Sequence, residues 1–281
     1  MPQSRALLAV QDADDPGVLM TAAAALLPDL RQHAVQYVHL TRRFTSAQAS
    51  AAAQWTRPRA DVVMKRHTAR PVEDILVDTA EVRAAVIVVR QPPSVRRGTT
   101  RAGPGRLLGQ LLARSDTPLL VIPHAWRPPG AQRRLLIHDV RQSQAARTAL
   151  EAARTLCPAQ DDRALDVLHV LPGHPALNDT IFSHSGDPAI TTSSWYRQHL
   201  VRARAGLPDQ GGTEFVRMGD VGQIGGAFLD PHRYRLAVMG ADAQSALHCW
   251  WFGMEAERLV RGAAVPVLIV PSGGGEDPGG S

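Results

Sequence analysis

The sequence GMEAERLVRGAAVPVLIVP, at residues 253–271, has a counterpart of equal length earlier in the chain, GRLLGQLLARSDTPLLVIP, at residues 105–123. In both segments a glycine opens a helix-compatible stretch, one proline begins a short apolar run, and a second proline ends it. Unbroken runs of Val, Ile and Leu are typical of strands that are covered on both faces. Each segment therefore predicts a helix followed by a buried strand.

Four further apolar runs precede this strand in each half of the chain, in the same order. Their alternation with helix-compatible sequence implies right-handed crossovers and a parallel sheet. The clearest helix is 143–156, which Ser143 can cap. A repeat of this length indicates duplicated domains, because the units of a solenoid are far shorter. The runs are 6–10, 35–40, 61–64 and 84–89 in the first half and 134–140, 165–171, 213–218 and 234–240 in the second.

The predicted fold class is α/β, with two tandem doubly wound domains that each contain a five-stranded parallel sheet and helices on both faces. The first domain is expected at 1–123 and the second at 133–272. HAWRPPGAQ, at 124–132, is the expected linker, and the Gly-rich end at 273–281 is expected to be a disordered tail. The second half also carries an insertion at 172–192, which we expect to be a surface loop.

Composition narrows the class of protein. The formal net charge of +5 favours contact with phosphate backbones, but no basic and aromatic surface motif accompanies it, so nucleic acid is not an expected partner. Cys157 and Cys249 are far apart, which argues against a disulfide framework and suits a reducing compartment. No run is long enough to cross a membrane, and MPQSRALLAV lacks the features of a signal peptide. We therefore expect a cytoplasmic protein without a membrane partner.

The closing segment 253–271, LHV at 168–170 and AVMG at 237–240 resemble the universal stress protein family, in the tandem form that carries two such domains in one chain. The resemblance covers nearly all of residues 5–271. It implies the strand order 3-2-1-4-5 in each domain and an internal pseudo-dimer whose last strands, 118–123 and 266–271, pair antiparallel. It further implies a non-enzymatic stress-response or regulatory binding protein, and leaves the protein partner and a homodimer of whole chains open.

Many members of that family bind ATP through a loop of the pattern Gly-x2-Gly-x9-Gly-(Ser/Thr). Aligned on Gly240, the second half keeps the spacing, but Ala243 replaces the second glycine and Met254 replaces the hydroxyl residue. Both changes weaken a phosphate site, because alanine adds a Cβ where the backbone should approach an oxygen and methionine donates no hydrogen bond. The resemblance thus implies a degenerate pocket that binds ATP, or another adenine nucleotide, weakly or not at all. Its residues are Asp139, Val170, Met239, Gly240, Ala243, Gly253 and Met254.

The first half departs further from the family pattern. Gln11 occupies the position of the nucleotide-facing aspartate, and an arginine occupies that of the first glycine. The loop at 91–105 is rich in arginine, which suits an anion or acidic partner, but its Pro, Gly and Thr content equally suits a solvated, mobile loop. Both interpretations stay open. The candidate anion-binding residues are Arg90, Arg96, Arg97, Arg101 and Arg106.

No other pattern predicts chemistry. The sequence has no nucleophile elbow and no paired-carboxylate signature, so we predict no catalytic residue. The His and Asp residues of the insertion match no compact metal motif, and we predict no metal site. His138 and His169 are expected to be packed and hydrogen-bonded in the core. A nucleotide-hydrolysing or nucleotide-transferring enzyme on the same fold, and a basic nucleic-acid-binding protein, stay as alternatives.

Overall fold

The described strands form one ten-stranded sheet in the order β3-β2-β1-β4-β5-β10-β9-β6-β7-β8. The computed structural model describes residues 5–10, 16–26, 35–39, 64–66, 71–91, 106–127, 133–140, 143–156, 165–171, 201, 211–242 and 255–272.

The first half contributes five strands and three described helices to this architecture. They are β1 (Arg5–Val10), α1 (Pro16–Leu26), β2 (Val35–His39), β3 (Met64–Arg66), α2 (Pro71–Val82), β4 (Ala84–Arg90), α3 (Arg106–Arg114) and β5 (Leu119–Ile122).

The second half contributes the other five strands. Its elements are β6 (Arg133–Asp139), α4 (Ser143–Leu156), β7 (Leu165–Leu171), β8 (Gly211–Met218), α5 (Val221–Phe228), β9 (Tyr234–Asp242) and β10 (Val267–Ser272), with helix α6 at 255–262 before the last strand.

The strand pairing agrees with the expected α/β architecture. All neighbouring strands are parallel except β5 and β10, which meet antiparallel at the centre of the sheet. There Leu268 lies opposite Leu120, and Ile269 lies opposite Leu119. The predicted pairing of 118–123 with 266–271 is thereby confirmed, and it gives hydrogen-bond partners to two strands that would otherwise be open edges.

Three strands differ by two or more residues from their predicted bounds, and one of them, β8, begins at Gly211 instead of 213. The third strand is Met64–Arg66, at the very end of the predicted run 61–64, because its partners in β2 are Tyr37, Val38 and His39. Strand β9 continues to Asp242 instead of ending at Gly240, since Ala241 and Asp242 pair with Pro271 and Ser272 of β10. Gly240 therefore lies inside a strand and not at the turn that follows it.

A buried apolar core covers each face of the sheet, and each core includes residues of both halves. One face, which we call the α1/α4 face, joins Leu26 of α1 and Val88 of β4 to Leu136 and Ala149 of the second half. The other, the α5/α6 face, joins Ile87 and other first-half residues to Leu135, Val221 and Leu259. The alternation of Leu135 and Leu136 between the faces follows from the two-residue period of a strand.

Candidate nucleotide site and its surroundings

The candidate site lies at the carboxyl end of β6, where the sheet has a topological switch point. Strand β6 lies between β9 and β7, and the connections that leave β6 and β9 run to opposite faces of the sheet. The helix after β6, α4, covers the α1/α4 face, whereas the helix after β9, α6, covers the opposite face. In open α/β sheets, ligands bind in the crevice beyond the carboxyl ends of strands at such a point.

Three of the predicted site residues come together there. Asp139 ends β6 and lies opposite Val170 of β7, while Met239 of β9 lies opposite Ile137 of β6. Val170 and Met239 belong to the core of the α5/α6 face. Asp139 alternates with His138 and so points to the same face as Ile137. Its carboxylate is buried, with 3% of the residue exposed.

Gly240 faces the other way, against the first turn of α4. A Cβ built on this glycine would lie 2.0 Å from the carbonyl oxygen of Ala145 and 2.9 Å from the amide nitrogen of Ala146. No L-side chain fits into such a gap without moving backbone. The close packing of α4 on β9 therefore requires glycine here, for a reason that is separate from phosphate binding.

The remaining predicted site residues are only partly described. The guanidinium of Arg90 makes a hydrogen bond within the protein: its Nη2 donates to the carbonyl oxygen of His124 at 2.5 Å. This bond fastens the end of β4 to the segment after β5. Arg106 begins α3. The predicted positions that lie outside the described residues are Ala243, Gly253, Met254, Arg96, Arg97 and Arg101.

The start of helix α6 is held firmly against α5. Asp220 caps α5 by accepting a hydrogen bond from the amide of Gln223 at 2.8 Å, and its second oxygen lies 2.6 Å from Nη1 of Arg258 in α6. Gly222 allows this contact, because a Cβ there would lie 2.4 Å from the carbonyl oxygen of Glu255. Glu255 itself is buried. Its carboxylate adds negative charge in the first turn of a helix whose N-terminus would otherwise favour an anion.

His138 and His169 form a buried pair beside the candidate site. Their Nδ1 atoms are 3.0 Å apart, and both residues are almost fully buried. The expectation that they are packed and hydrogen-bonded is confirmed. Burial, and next the charge of His169, lower the pKa of His138 to about 4, while Asp139 opposes the shift. His138 is therefore neutral at physiological pH.

A second buried polar cluster, which the sequence did not reveal, surrounds Asp166. It lies near the amino ends of the strands, opposite to the candidate site. This fully buried carboxylate accepts hydrogen bonds from Arg133 at 2.5 Å, from the amide of Thr213 at 2.9 Å, from the hydroxyl of Tyr234 at 3.1 Å and from Arg233 at 3.4 Å. It thus joins the starts of β6, β7, β8 and β9. Burial, and next the charge of Asp166, raise the pKa of Tyr234 to about 12. The one signal in sequence was an aspartate inside the apolar run 165–171.

Neither a membrane-spanning helix nor a metal-binding cluster is present among the described residues. In the part of the chain that the structure describes, no helix is both long and apolar enough for a membrane span. Across the same residues, no cluster of three or more His, Cys, Asp or Glu side chains could hold a metal ion.

Comparisons with known proteins give a family match for one half of the chain and structural matches for nearly all of it. No curated protein matches the sequence. A solved structure described as a putative universal stress protein from Pseudomonas aeruginosa UCBPP-PA14 matches with a TM-score of 0.67 and 19% identity, over 96% of this chain and 94% of that one. A functionally unknown protein from Pseudomonas aeruginosa PAO1 matches equally well, with a TM-score of 0.67, 19% identity and coverage of 96% and 93%. A universal stress protein from Archaeoglobus fulgidus DSM 4304 has a TM-score of 0.57 and 15% identity, over 97% of both chains.

At these identities the likeness to solved structures concerns the fold. The model of the Universal stress protein family, by contrast, matches the sequence itself at residues 133–271. Those residues span β6 through most of β10, including the switch point with Asp139 and Met239. Residues 133–271 of the chain are therefore similar in sequence to the universal stress protein family.

Proposed function

We propose that the chain is a tandem universal stress protein, a non-enzymatic and cytoplasmic stress-response or regulatory binding protein with an unidentified protein partner. The family model matches the second half only. The tandem form is supported by the first half, whose five strands have the same order about the central β5 and β10 pair. It is further supported by solved chains that both halves cover together, as in the match over 96% of this chain.

The observation that carries the nucleotide part of the proposal is the grouping of Asp139, Val170 and Met239 at the switch point. A carboxylate can accept hydrogen bonds from ribose hydroxyls or an adenine amino group. Val170 and Met239 are buried core residues beside this carboxylate, so this end of the sheet is apolar, as adenine pockets usually are. The adenosine end of the ligand is therefore the better preserved part of the pocket.

The phosphate end is the weaker part. Ala243 and Met254 occupy positions where the family pattern has a glycine and a hydroxyl residue. Glu255 is buried in the first turn of α6, where its negative charge competes with phosphate for the helix N-terminus. We therefore propose that ATP binds weakly or not at all.

Calorimetric titration with ATP and with adenosine tests this proposal. The double variant Ala243→Gly, Met254→Ser should bind ATP about tenfold more tightly than the wild type, which corresponds to about 1.4 kcal/mol. Adenosine affinity should stay the same in this variant and fall in Asp139→Asn. The matched control is Asp116→Asn, at an exposed aspartate of the first half. Tight ATP binding by the wild type, or no adenosine effect of Asp139→Asn, would contradict the proposed pocket.

The alternatives from other classes need separate readouts. Phosphate release from ATP should not exceed that of buffer. Turnover that Asp139→Asn abolishes would instead identify a nucleotide-hydrolysing enzyme. Binding to DNA or RNA that falls steeply with salt would favour a nucleic-acid-binding protein. A native mass spectrum would show whether the chain is a monomer, as expected for an internal pseudo-dimer, or a homodimer.

A further inference from the structure

The His138 and His169 side chains form a closed contact between two neighbouring strands. The two residues are register partners in β6 and β7, so both side chains lie on the α1/α4 face. Both are buried, at 0% and 1% exposure, and the Nδ1 atoms are 3.0 Å apart. Two neutral imidazoles can form this hydrogen bond with a single proton between the two Nδ1 atoms, because one Nδ1 donates and the other accepts.

The Glu214 carboxylate favours one of the two donor and acceptor arrangements. Nε2 of His169 lies 3.9 Å from Oε2 of Glu214 in β8. A carboxylate on that side favours a proton on Nε2 of His169, which leaves its Nδ1 as the acceptor. His138 is then the donor through Nδ1, and its Nε2 carries a bare lone pair. That nitrogen is buried and has no hydrogen-bond partner among the described residues. Nε2 of His169 lies towards the Glu214 carboxylate, so Nε2 of His138 is the position that this arrangement leaves for a further proton.

His138 lies on the sheet face that the start of α4 covers. Ile137 pairs with Met239, so His138 is flanked by Gly240 on the same face. The backbone of Ala145, in the first turn of α4, rests on Gly240 without room for a Cβ. The first turn of a helix presents amide N–H groups and partial positive charge. A proton on His138 would place a buried cation, whose Nε2 has no acceptor among the described residues, on the sheet face that the first turn of α4 covers.

Among the residues that the structure describes, few charges could compensate this cation. On β6, Asp139 points to the opposite face, and Arg134 donates to the carbonyl of Ala153. On β8, Glu214 faces His169, and on β9, Arg235 donates to the carbonyl of Ala25. The sequences of α1 and β10 contain no titratable side chain. The charged residues of α4 are all exposed, namely Arg147, Glu151 and Arg154.

We propose that the His138 and His169 pair is an acid-sensitive switch that couples proton uptake at Nε2 of His138 to release of the first turn of α4 from β9. At neutral pH the pair is uncharged and α4 is seated on Gly240. In acid the charged imidazole and the helix start repel each other, and the backbone contact opens. The lowered pKa of His138 agrees with this arrangement, since burial and His169 both disfavour the charged form.

Two measurements on the wild-type protein test the switch. Nitrogen-15 spectra of the imidazoles should show both rings neutral near pH 7, with the proton of His138 on Nδ1, and protonation of His138 only near pH 4. Hydrogen exchange at 145–148, corrected for the intrinsic effect of pH, should speed up by up to about 100-fold between pH 7 and pH 4. Titration of His138 near its ordinary pKa, or protection of α4 that does not change with pH, would overturn the proposal.

Matched variants separate the switch from general acid sensitivity. His138→Asn keeps an N–H donor near the position of Nδ1 but cannot take up a proton, so the acid-induced exchange of α4 should largely disappear. His232→Asn alters an exposed histidine and should behave like the wild type. Equal acid responses in His138→Asn and His232→Asn would reject the proposal. If His138→Asn does not fold, the spectra and exchange of the wild type decide the question alone.

Discussion

Gly240 shows how one residue can satisfy a family pattern and a packing requirement together. The sequence indicates a phosphate loop, whereas the structure gives the residue a contact with Ala145 of α4. The strand pairing that places Gly240 inside β9 depends on β10. That dependence is not visible in the local sequence. A glycine in a binding pattern is therefore not, by itself, a sign of a bound phosphate.

Gly240→Ala should destabilise the protein by about 1–3 kcal/mol or more, because the new Cβ forces the first turn of α4 away from the sheet. Urea unfolding measures the difference. Gly109→Ala is the matched control, since a Cβ at this helical glycine meets nothing within 4 Å and should be neutral or mildly stabilising. Equal stability of Gly240→Ala and Gly109→Ala would disprove the close contact.

Tyr234 gives a prediction at alkaline pH. Its pKa is raised to about 12 from an ordinary 10.0, so between these values the folded state keeps a proton that the unfolded state has lost. Stability should therefore fall as pH rises from about 10 to about 12, by up to about 3 kcal/mol. Tyr234→Phe should remove this pH dependence, at a cost of about 1 kcal/mol at pH 7 for the lost bond to Asp166. A phenol that ionises near pH 10 in ultraviolet titration would contradict the prediction.

At the scale of elements, the buried strands could be predicted because each is an unbroken apolar run. The clearest helix, 143–156, could likewise be predicted from its cap and its apolar face, and α4 has these bounds. The Asp166 cluster could not be predicted, since Arg133, Thr213 and Tyr234 meet this aspartate only after four strands are aligned. Likewise, the glycines of α5 could not be explained from the sequence, because the lack of room for a Cβ arises from the packing of α6.

Asp220 joins α5 to α6 through two separable interactions. Asp220→Ala removes both the cap of α5 and the ion pair with Arg258, and should cost about 1–2 kcal/mol. Asp220→Asn keeps a capping oxygen and loses only the charge on a partly exposed pair, so the expected cost is below about 1 kcal/mol. Thermal unfolding of the two variants compares these costs. An asparagine variant as unstable as the alanine variant would show that the ion pair is the main contribution.

At the scale of the whole molecule, the two halves share their cores as well as their sheet. The α1/α4 face joins Val88 of the first half to Val238 of the second, and the other face is similarly continuous. Leu120 and Leu268 lie opposite each other where β5 meets β10, and both are fully buried. We therefore expect the chain to unfold as one cooperative unit, because each core contains residues of both halves.

Shortening a buried side chain where β5 meets β10 should consequently destabilise both halves together. Leu120→Ala and Leu268→Ala should each cost about 2–5 kcal/mol, because each removes buried methyl groups from a core that cannot fully collapse. Hydrogen exchange measured by mass spectrometry should show the same loss of protection in β4 and β6, whichever leucine is changed. Val77→Ala, at a residue that is 56% exposed, should leave exchange in both strands unchanged. If Leu120→Ala weakened protection in β4 while β6 kept its own, the halves would unfold independently, and the shared cores would not couple them.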